Sequence, residues 1–401
     1  MSDTAANPKR SWPRTFVRRS SSWVVAVLAT LVAVELGIRV YAALTVGPSV
    51  FFFGLRPDRD QLLASSVENR TGGYSKYFPR QKRVMRDWKN VEEFDVAINQ
   101  HGFRGRDFDV VKGIGVIRIV TLGASSTFGY GDRDNETYPV MLEGFLNEES
   151  GGRRYEVINL GIPHLSIEQN LALFMNEALP LTPDIVTFYE GANDARVEEG
   201  LRPVSTERAS NALVAGVEGW LMRGQHIVFF NTLTGWMIYN AWAQHASYGY
   251  DGPYLTQSLN KQAAAFVQRL DRLRDVCQSH GIMFILANQQ MKSSLVPVER
   301  MRGITYADEV KLVKARLAEQ GRLGHDPWKM IFHDALMSKS REWAVAGRVP
   351  FVDVIHAMDQ DRDQLTSYVH LSPKGNAIIA RELAKAILAE TSPQGQAGNL
   401  Q

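Results

Sequence analysis

Five short apolar runs, rich in β-branched residues, mark the chain at 116–122, 155–160, 184–189, 281–287 and 349–354. Each is nearly continuous in apolar residues instead of alternating, as strands buried on both faces require. Helix-like segments at 138–147, 166–178 and 258–279 lie among them. A last one at 376–390 closes the series, with Ser372 as its N-cap and Pro373 just inside. Strands that alternate with helices predict a parallel sheet covered on both faces. The expected product is a doubly wound α/β domain over 113–392. The intervals 196–257 and 291–347 are too long for plain connections and read as helical insertions. Loops beyond the carboxyl ends of such strands build the ligand crevice, so these insertions are placed to shape it.

The N-terminus has a different character. Residues 1–22 hold five basic side chains against Asp3, and 23–43 then reads WVVAVLATLVAVELGIRVYAA. That length suits a helix of ~20 residues spanning a membrane. Glu35 and Arg39 interrupt it, and each costs roughly 2.5–3.5 kcal/mol at a helix centre. They stand four apart, acid first, and can pair on one helix face. Arg39 also lies near the end, where its stem reaches the interface. The first reading is a transmembrane signal anchor with a basic cytoplasmic tail. A cleaved signal peptide and an ordinary buried helix are the alternatives. Both export readings place the remaining chain on the extracytoplasmic, periplasmic side. Residues 44–112 show little periodicity and read as a linker wrapping onto the main domain, and 393–401 as a disordered tail.

The formal net charge is +2, and the basic tail accounts for the excess, so the rest of the chain is near neutral. No basic face is expected on the domain, which disfavours nucleic acid as a partner. The lone cysteine, Cys277, allows no intrachain disulfide and sits at a helical spacing that suggests packing. No HExxH or paired Cys/His spacing exists among the nine histidines, so neither a metal nor another cofactor is expected.

Three motifs follow three of the strands. The first strand runs into GASSTFG (123–129), where small residues permit a sharp turn and leave Ser125 at the strand's carboxyl edge. The second runs into NLGIPH (159–164), a turn able to present backbone N–H groups. The third runs into GAND (191–194), with the Asn193 amide at the same edge. His370 lies beyond the last strand, before the closing helix. A hydroxyl nucleophile needs a base within hydrogen-bond reach and donors for the developing oxyanion, and these residues supply them. Ser126 is the fallback nucleophile, and Asn193 could equally cap its turn. Asp353 and His356 fit strand-end packing and turn bonding. The aromatic stretch at 236–250 suits either a small core or stacking on a sugar.

Gly-x-Ser-x-x-x-Gly after the first strand, Gly-x-Asn-Asp after the third, and a late His before Leu-Ser-Pro-x-Gly-Asn together resemble the SGNH (GDSL-type) hydrolase family. INQHGFRG (98–105) is similar to a segment found upstream of the motif in membrane-anchored members. The resemblance covers roughly 96–390. It implies a three-layer doubly wound (flavodoxin-like) five-stranded parallel sheet with helical insertions. It also implies Ser125 as nucleophile and His370 as general base, with the oxyanion hole formed by the Ser125 N–H, the His164 N–H and Asn193. Three departures stand out. Ala124 replaces the usual Asp of the first motif. His164 replaces the usual oxyanion Gly, where a positive φ is costly. Ser367 replaces the Asp that normally orients the histidine. Asp361 or Asp363 could substitute from the same loop, Ser367 could hold the ring weakly, or the pair could act as a dyad.

The expected chemistry is ester hydrolysis through an acyl-Ser125 intermediate, on an acylated cell-envelope carbohydrate or similar ester. Acyl transfer to a glycan and a catalytically silent, membrane-anchored binding or assembly protein are the rivals.

Overall fold

The computed structural model describes residues 14–45, 68–69, 73–81, 83–87, 92–197, 234, 247–249 and 252–392. The chain divides into two compact units, Met1–Arg59 with Glu207–Trp242, and Asp60–Thr206 with Ala243–Gln401.

The first unit contains helix α1 (Arg14–Thr45). Its Val25–Leu44 stretch is long and apolar enough to cross a membrane, with mean hydropathy 1.9 and only 6% of the window buried. A core helix of a soluble domain is mostly buried, and the low burial of this stretch favours a membrane anchor or signal sequence over a buried helix. The pair expected from the four-residue spacing forms, with Arg39 Nε donating to Glu35 Oε1 at 2.7 Å. Glu35 Oε2 also accepts the Thr234 N–H at 2.8 Å and the Thr234 hydroxyl at 2.6 Å. A polar group in an apolar setting is tolerated when its hydrogen bonds are supplied.

The second unit begins with two antiparallel pairs. β1 (Glu68–Asn69) pairs with β2 (Ser75–Lys76), and β3 (Arg83–Arg86) pairs with β4 (Glu93–Val96). The remaining strands are β5 (Val116–Gly123), β6 (Arg154–Asn159), β7 (Ile185–Tyr189), β8 (Ser247–Gly249), β9 (Met283–Ala287), β10 (Arg322–Gly324) and β11 (Phe351–Val352). Five of them form one parallel sheet in the order β11-β9-β7-β5-β6. This is the flavodoxin-like doubly wound order, in which the strand sequence reverses beside the first strand, β5. β8 and β10 pair separately and antiparallel. The expected strand at 349–354 shrinks to β11, because Pro350 has no N–H to donate and the Asp353 side chain caps the next turn instead.

The helices are α2 (Ser125–Phe128), α3 (Tyr138–Glu149), α4 (Ile167–Leu173), α5 (Gly252–Ser279), α6 (Tyr306–Gln320), α7 (His325–Ala346), α8 (Val354–Ala357) and α9 (Pro373–Thr391). Successive strand residues face opposite layers. Val120, Leu122, Val186 and Phe188 pack with Phe266, Leu270 and Leu273 of α5 and Leu336 of α7. Ile119, Ile185, Tyr189 and Ile285 pack with Leu142 and Leu146 of α3 and Ile379 and Leu383 of α9. Two fully buried apolar faces make the three-layer α/β architecture.

The predicted 166–178 helix is α4 followed by a π turn at Phe174–Ala178, and α5 starts six residues before its expected onset. The 291–347 interval holds α6 and α7. Of the 196–257 interval, most lies outside the described residues, as do the aromatic stretch at 236–250 apart from β8 and the tail at 393–401. Cys277 is fully buried among apolar side chains, and burial pushes its thiol up to about 12. It is packing, as its spacing suggested.

Candidate active site

β5 ends against the start of α2, and Ser125 is the first residue of that single turn. The chain can turn this sharply because Gly123 has no side chain. A Cβ there would lie 2.6 Å from the Tyr189 carbonyl oxygen. Thr127 secures the turn to the neighbouring strand, its hydroxyl donating to Tyr189 O at 3.4 Å while Tyr138 donates to it at 3.1 Å.

Across the crevice, residues 365–371 form a tight loop closed by the Leu365–Leu371 bridge and by the Thr366 N–H to His370 O contact at 2.9 Å. This loop brings His370 Nε2 to 2.7 Å from Ser125 Oγ. Tyr130 stacks on the imidazole at 5.4 Å between centroids, and Tyr368 lies at 6.2 Å. On the far side of the ring, Ser367 Oγ meets Nδ1 at 2.7 Å. Of the candidates for the third position, Ser367 occupies it, and Asp361 instead pairs with Lys374 at 2.6 Å.

The fallback nucleophile has a different place. Ser126 is buried, donates to the Val369 carbonyl at 3.2 Å and accepts from Gln289 Nε2 at 3.3 Å. Its hydroxyl thus ties the turn after β5 to the histidine loop, while the His370 Nε2 contact is made by Ser125. The same Gln289 accepts the Ala192 N–H at 2.8 Å, so one amide joins the ends of three strands.

The second motif abuts the nucleophile turn. Asn159 Nδ2 donates to Thr127 O at 2.9 Å, and its carbonyl accepts the Gly161 N–H at 2.9 Å. A Cβ at Gly161 would collide with the Thr127 and Phe128 backbone. His164 is exposed and adopts φ 69°, the left-handed conformation feared for a non-glycine residue there. Such a residue carries about 1–3 kcal/mol of strain, and His is among the side chains that accept it best.

The third motif clasps the second. Asn193 Nδ2 donates to Leu165 O at 3.1 Å, which leaves the amide its second hydrogen. Asp194 accepts the N–H of Ile167, at the start of α4, at 2.9 Å. Glu190, fully buried behind this turn, accepts the Asn193 N–H at 2.9 Å. Burial pushes the Glu190 carboxyl up to about 7, and does the same to Asp194. Asp353 accepts from Asn288 Nδ2 at 2.8 Å and from the His356 N–H at 3.2 Å, as strand-end bonding requires. His356 stays exposed.

Sequence reasoning missed the residues that brace the site. Arg104, from the INQHGFRG segment, is 2% exposed and donates to the carbonyls of Phe128, Gly129 and Asp132. Asn376, from the closing motif, donates to Asp132 Oδ2 and Glu136 O. The quoted motifs contained both residues, but nothing in their spacing says which carbonyls they meet. Among the described residues, no group of three or more His, Cys, Asp or Glu is placed to hold a metal ion.

Residues 121–301 match the model of the GDSL-like Lipase/Acylhydrolase family. The matched stretch includes Ser125, His164 and Asn193 and ends before His370, whose place in the site rests on geometry. No curated protein sequence matches the chain. Solved structures similar to it include the lipase/acylhydrolase from Enterococcus faecalis, at 17% identity and TM-score 0.40, covering 69% of this chain and 97% of that one. An alpha/beta hydrolase from the metagenome of Lake Arreo, Spain, is 16% identical with TM-score 0.39, covering 69% and 96%. A catalytic mutant of an acetylxylan esterase from Geobacillus stearothermophilus is 16% identical with TM-score 0.38, again covering 69% and 96%.

Proposed function

Proceeding from a GDSL-like lipase/acylhydrolase domain, we propose that this chain is a serine esterase working through an acyl-Ser125 intermediate. The observation that carries the reading is the 2.7 Å contact between His370 Nε2 and Ser125 Oγ at the carboxyl edge of β5. In the reactive form, Nε2 takes the Ser125 proton as Oγ bonds to the ester carbonyl carbon. The developing oxyanion is met by the Ser125 N–H, the His164 N–H and the second hydrogen of Asn193 Nδ2. Collapse expels the alcohol, which takes the proton from Nε2. Water then repeats the sequence on the acyl-enzyme. A silent scaffold has no need of this contact, which speaks for the enzyme.

A cavity of about 340 Å³ borders the second motif, lined by Tyr74, Tyr77, Arg83, His164 and Gln169 among others. Tyr74 and Tyr77 are buried in its wall, with Arg83 over the Tyr77 ring. The exposed His164 beside Gln169 gives the cavity polar groups that suit a hydroxylated substrate such as an acylated carbohydrate. Transfer of the acyl group to a glycan hydroxyl uses the same steps, with that hydroxyl in place of water. The apolar Val25–Leu44 stretch supports anchoring in a membrane, with the basic tail cytoplasmic and the hydrolase domain extracytoplasmic.

The deciding experiment is fluorophosphonate labelling of the full chain beside Ser125→Ala and Ser126→Ala. Labelling of the wild type and Ser126→Ala, with none of Ser125→Ala, is expected. An unlabelled, folded wild type defeats the proposal. Product analysis with and without a glycan acceptor separates hydrolysis from transfer. Resistance of the full chain to alkaline carbonate extraction tests the anchor, and free release from membranes defeats it.

A further inference from the structure

The hydroxyl of Ser367 has two lone pairs and one hydrogen. Two backbone donors already point at its oxygen, the Val369 N–H at 3.3 Å and the His370 N–H at 3.1 Å. They take both lone-pair positions. What remains for His370 Nδ1, at 2.7 Å, is the hydroxyl's own hydrogen. A carboxylate at this place is an acceptor only and would receive a proton from Nδ1 instead.

We propose that Ser367 donates to His370 Nδ1 and fixes the neutral imidazole as its Nε2–H tautomer, so that the Ser125–His370 pair rests proton-blocked. This deepens the esterase reading and rests on it. In the resting state, Nε2–H donates to Ser125 Oγ across their 2.7 Å contact. Attack by Oγ needs the reverse, since the Ser125 proton must pass to a lone pair on Nε2. The ring must first release its Nε2 proton to solvent and take one from solvent at Nδ1, while the Ser367 O–H rotates away. The Ser367 oxygen then faces three N–H donors with two lone pairs, which disfavours the reactive tautomer. Nor does a hydroxyl bring negative charge to the imidazolium formed during attack. Ser367 is therefore a positioning residue that restrains the site. In a Ser-His-Asp triad, locking the wrong tautomer lowers kcat by ~10⁴.

The test uses the full chain. The imidazole tautomer of wild-type His370 is read by ¹⁵N NMR, with the resonance assigned through His370→Gln. Activity on p-nitrophenyl acetate is compared among wild type, Ser367→Asp and Ser367→Ala. The expected spectrum shows the proton on Nε2. Ser367→Asp is expected to raise kcat at least ~10-fold at little-changed KM, and Ser367→Ala to keep or raise it. A wild-type ring protonated on Nδ1 overturns the proposal. So does a tenfold loss in Ser367→Ala without a gain in Ser367→Asp. If Ser367→Asp does not fold, the wild-type spectrum decides alone. Should Ser125→Ala label with fluorophosphonate as fast as wild type, the nucleophile reading fails, and the spectrum still judges the tautomer separately.

Discussion

The side-chain amide of Asn376 donates to Asp132 Oδ2 at 2.9 Å, joining the first turn of α9 to the loop that follows the nucleophile turn. The same nitrogen donates to Glu136 O at 2.9 Å. Because α9 begins three residues after His370, this contact sets the spacing between Ser125 and His370. Asn376→Ala leaves a buried carboxylate and a carbonyl short of a donor, at about 1–3 kcal/mol. The expected result is a lower Tm and a slower rate of fluorophosphonate labelling. Unchanged labelling in a destabilised variant would limit Asn376 to a structural role.

Arg104 braces the other end of the same turn. Its guanidinium donates to Phe128 O at 3.1 Å and to the Gly129 and Asp132 carbonyls, and it pairs with Asp134 at 3.0 Å. Arg104→Lys keeps the charge and loses the fork that reaches several acceptors at once. Removing the donors from buried carbonyls costs ~1–3 kcal/mol for each group left unpaired. Urea unfolding is expected to show Arg104→Lys well below wild type in midpoint, with kcat falling more than KM rises. A Lys variant as stable and active as wild type would show that the fork is dispensable.

Glu190 gives the site a pH signature. Burial holds its carboxyl at about 7 in the fold, against 4.5 for the exposed group. Between those values the folded chain keeps a proton that the unfolded chain has released, so folding is favoured at low pH and this contribution weakens as pH rises. Glu190→Gln keeps an acceptor for the Asn193 N–H and removes the ionisation. The Tm of Glu190→Gln minus that of wild type is therefore expected to grow from pH 5 to pH 8. A difference that stays flat over this range would mean that Glu190 titrates near its ordinary value.

How much of this was legible depends on whether the partners are close in sequence. The strands were visible because burial on both faces demands unbroken apolar runs, and so were the turns at 123–129, 159–164 and 191–194 that come after three of them. The Ser372 cap was readable from its own turn, where Ser372 accepts the Gly375 N–H. The short last strand was not, because the ladder stops for two local reasons at Pro350 and Asp353 that apolar counting ignores. Long-range braces left no local trace. Nothing near Ser126 announces that its hydroxyl serves Val369 O, 243 residues away. The departure at Ser367 was legible as a missing carboxylate. Its direction of donation was not, since that depends on where the Val369 and His370 amides point.

The deepest of these braces is the pair of Glu309 and Arg362, whose side chains are both 0% exposed and 2.6 Å apart. Glu309 also accepts the Ser293 N–H and hydroxyl, while Arg362 donates to Met291 O at 2.6 Å and to Thr305 O at 3.2 Å. Every charge is thus matched, which is what allows an ion pair to sit in a fully buried place. Arg362 lies at the entrance of the loop that carries Ser367 and His370, so the pair anchors that loop to α6 and to the segment after β9. Glu309→Ala strands the guanidinium without its counter-ion, and roughly 3–5 kcal/mol of stability is expected to go with it. Replacing both members, as Glu309→Leu with Arg362→Met, should recover much of the Tm, because no buried charge is left uncompensated. Labelling of Ser125 should recover less than the Tm, since an apolar pair packs the core but no longer holds the carbonyls of Met291 and Thr305. A double variant that regains stability and the full labelling rate together would show that the loop needs only packing at this point, and that the ion pair has no part in placing His370.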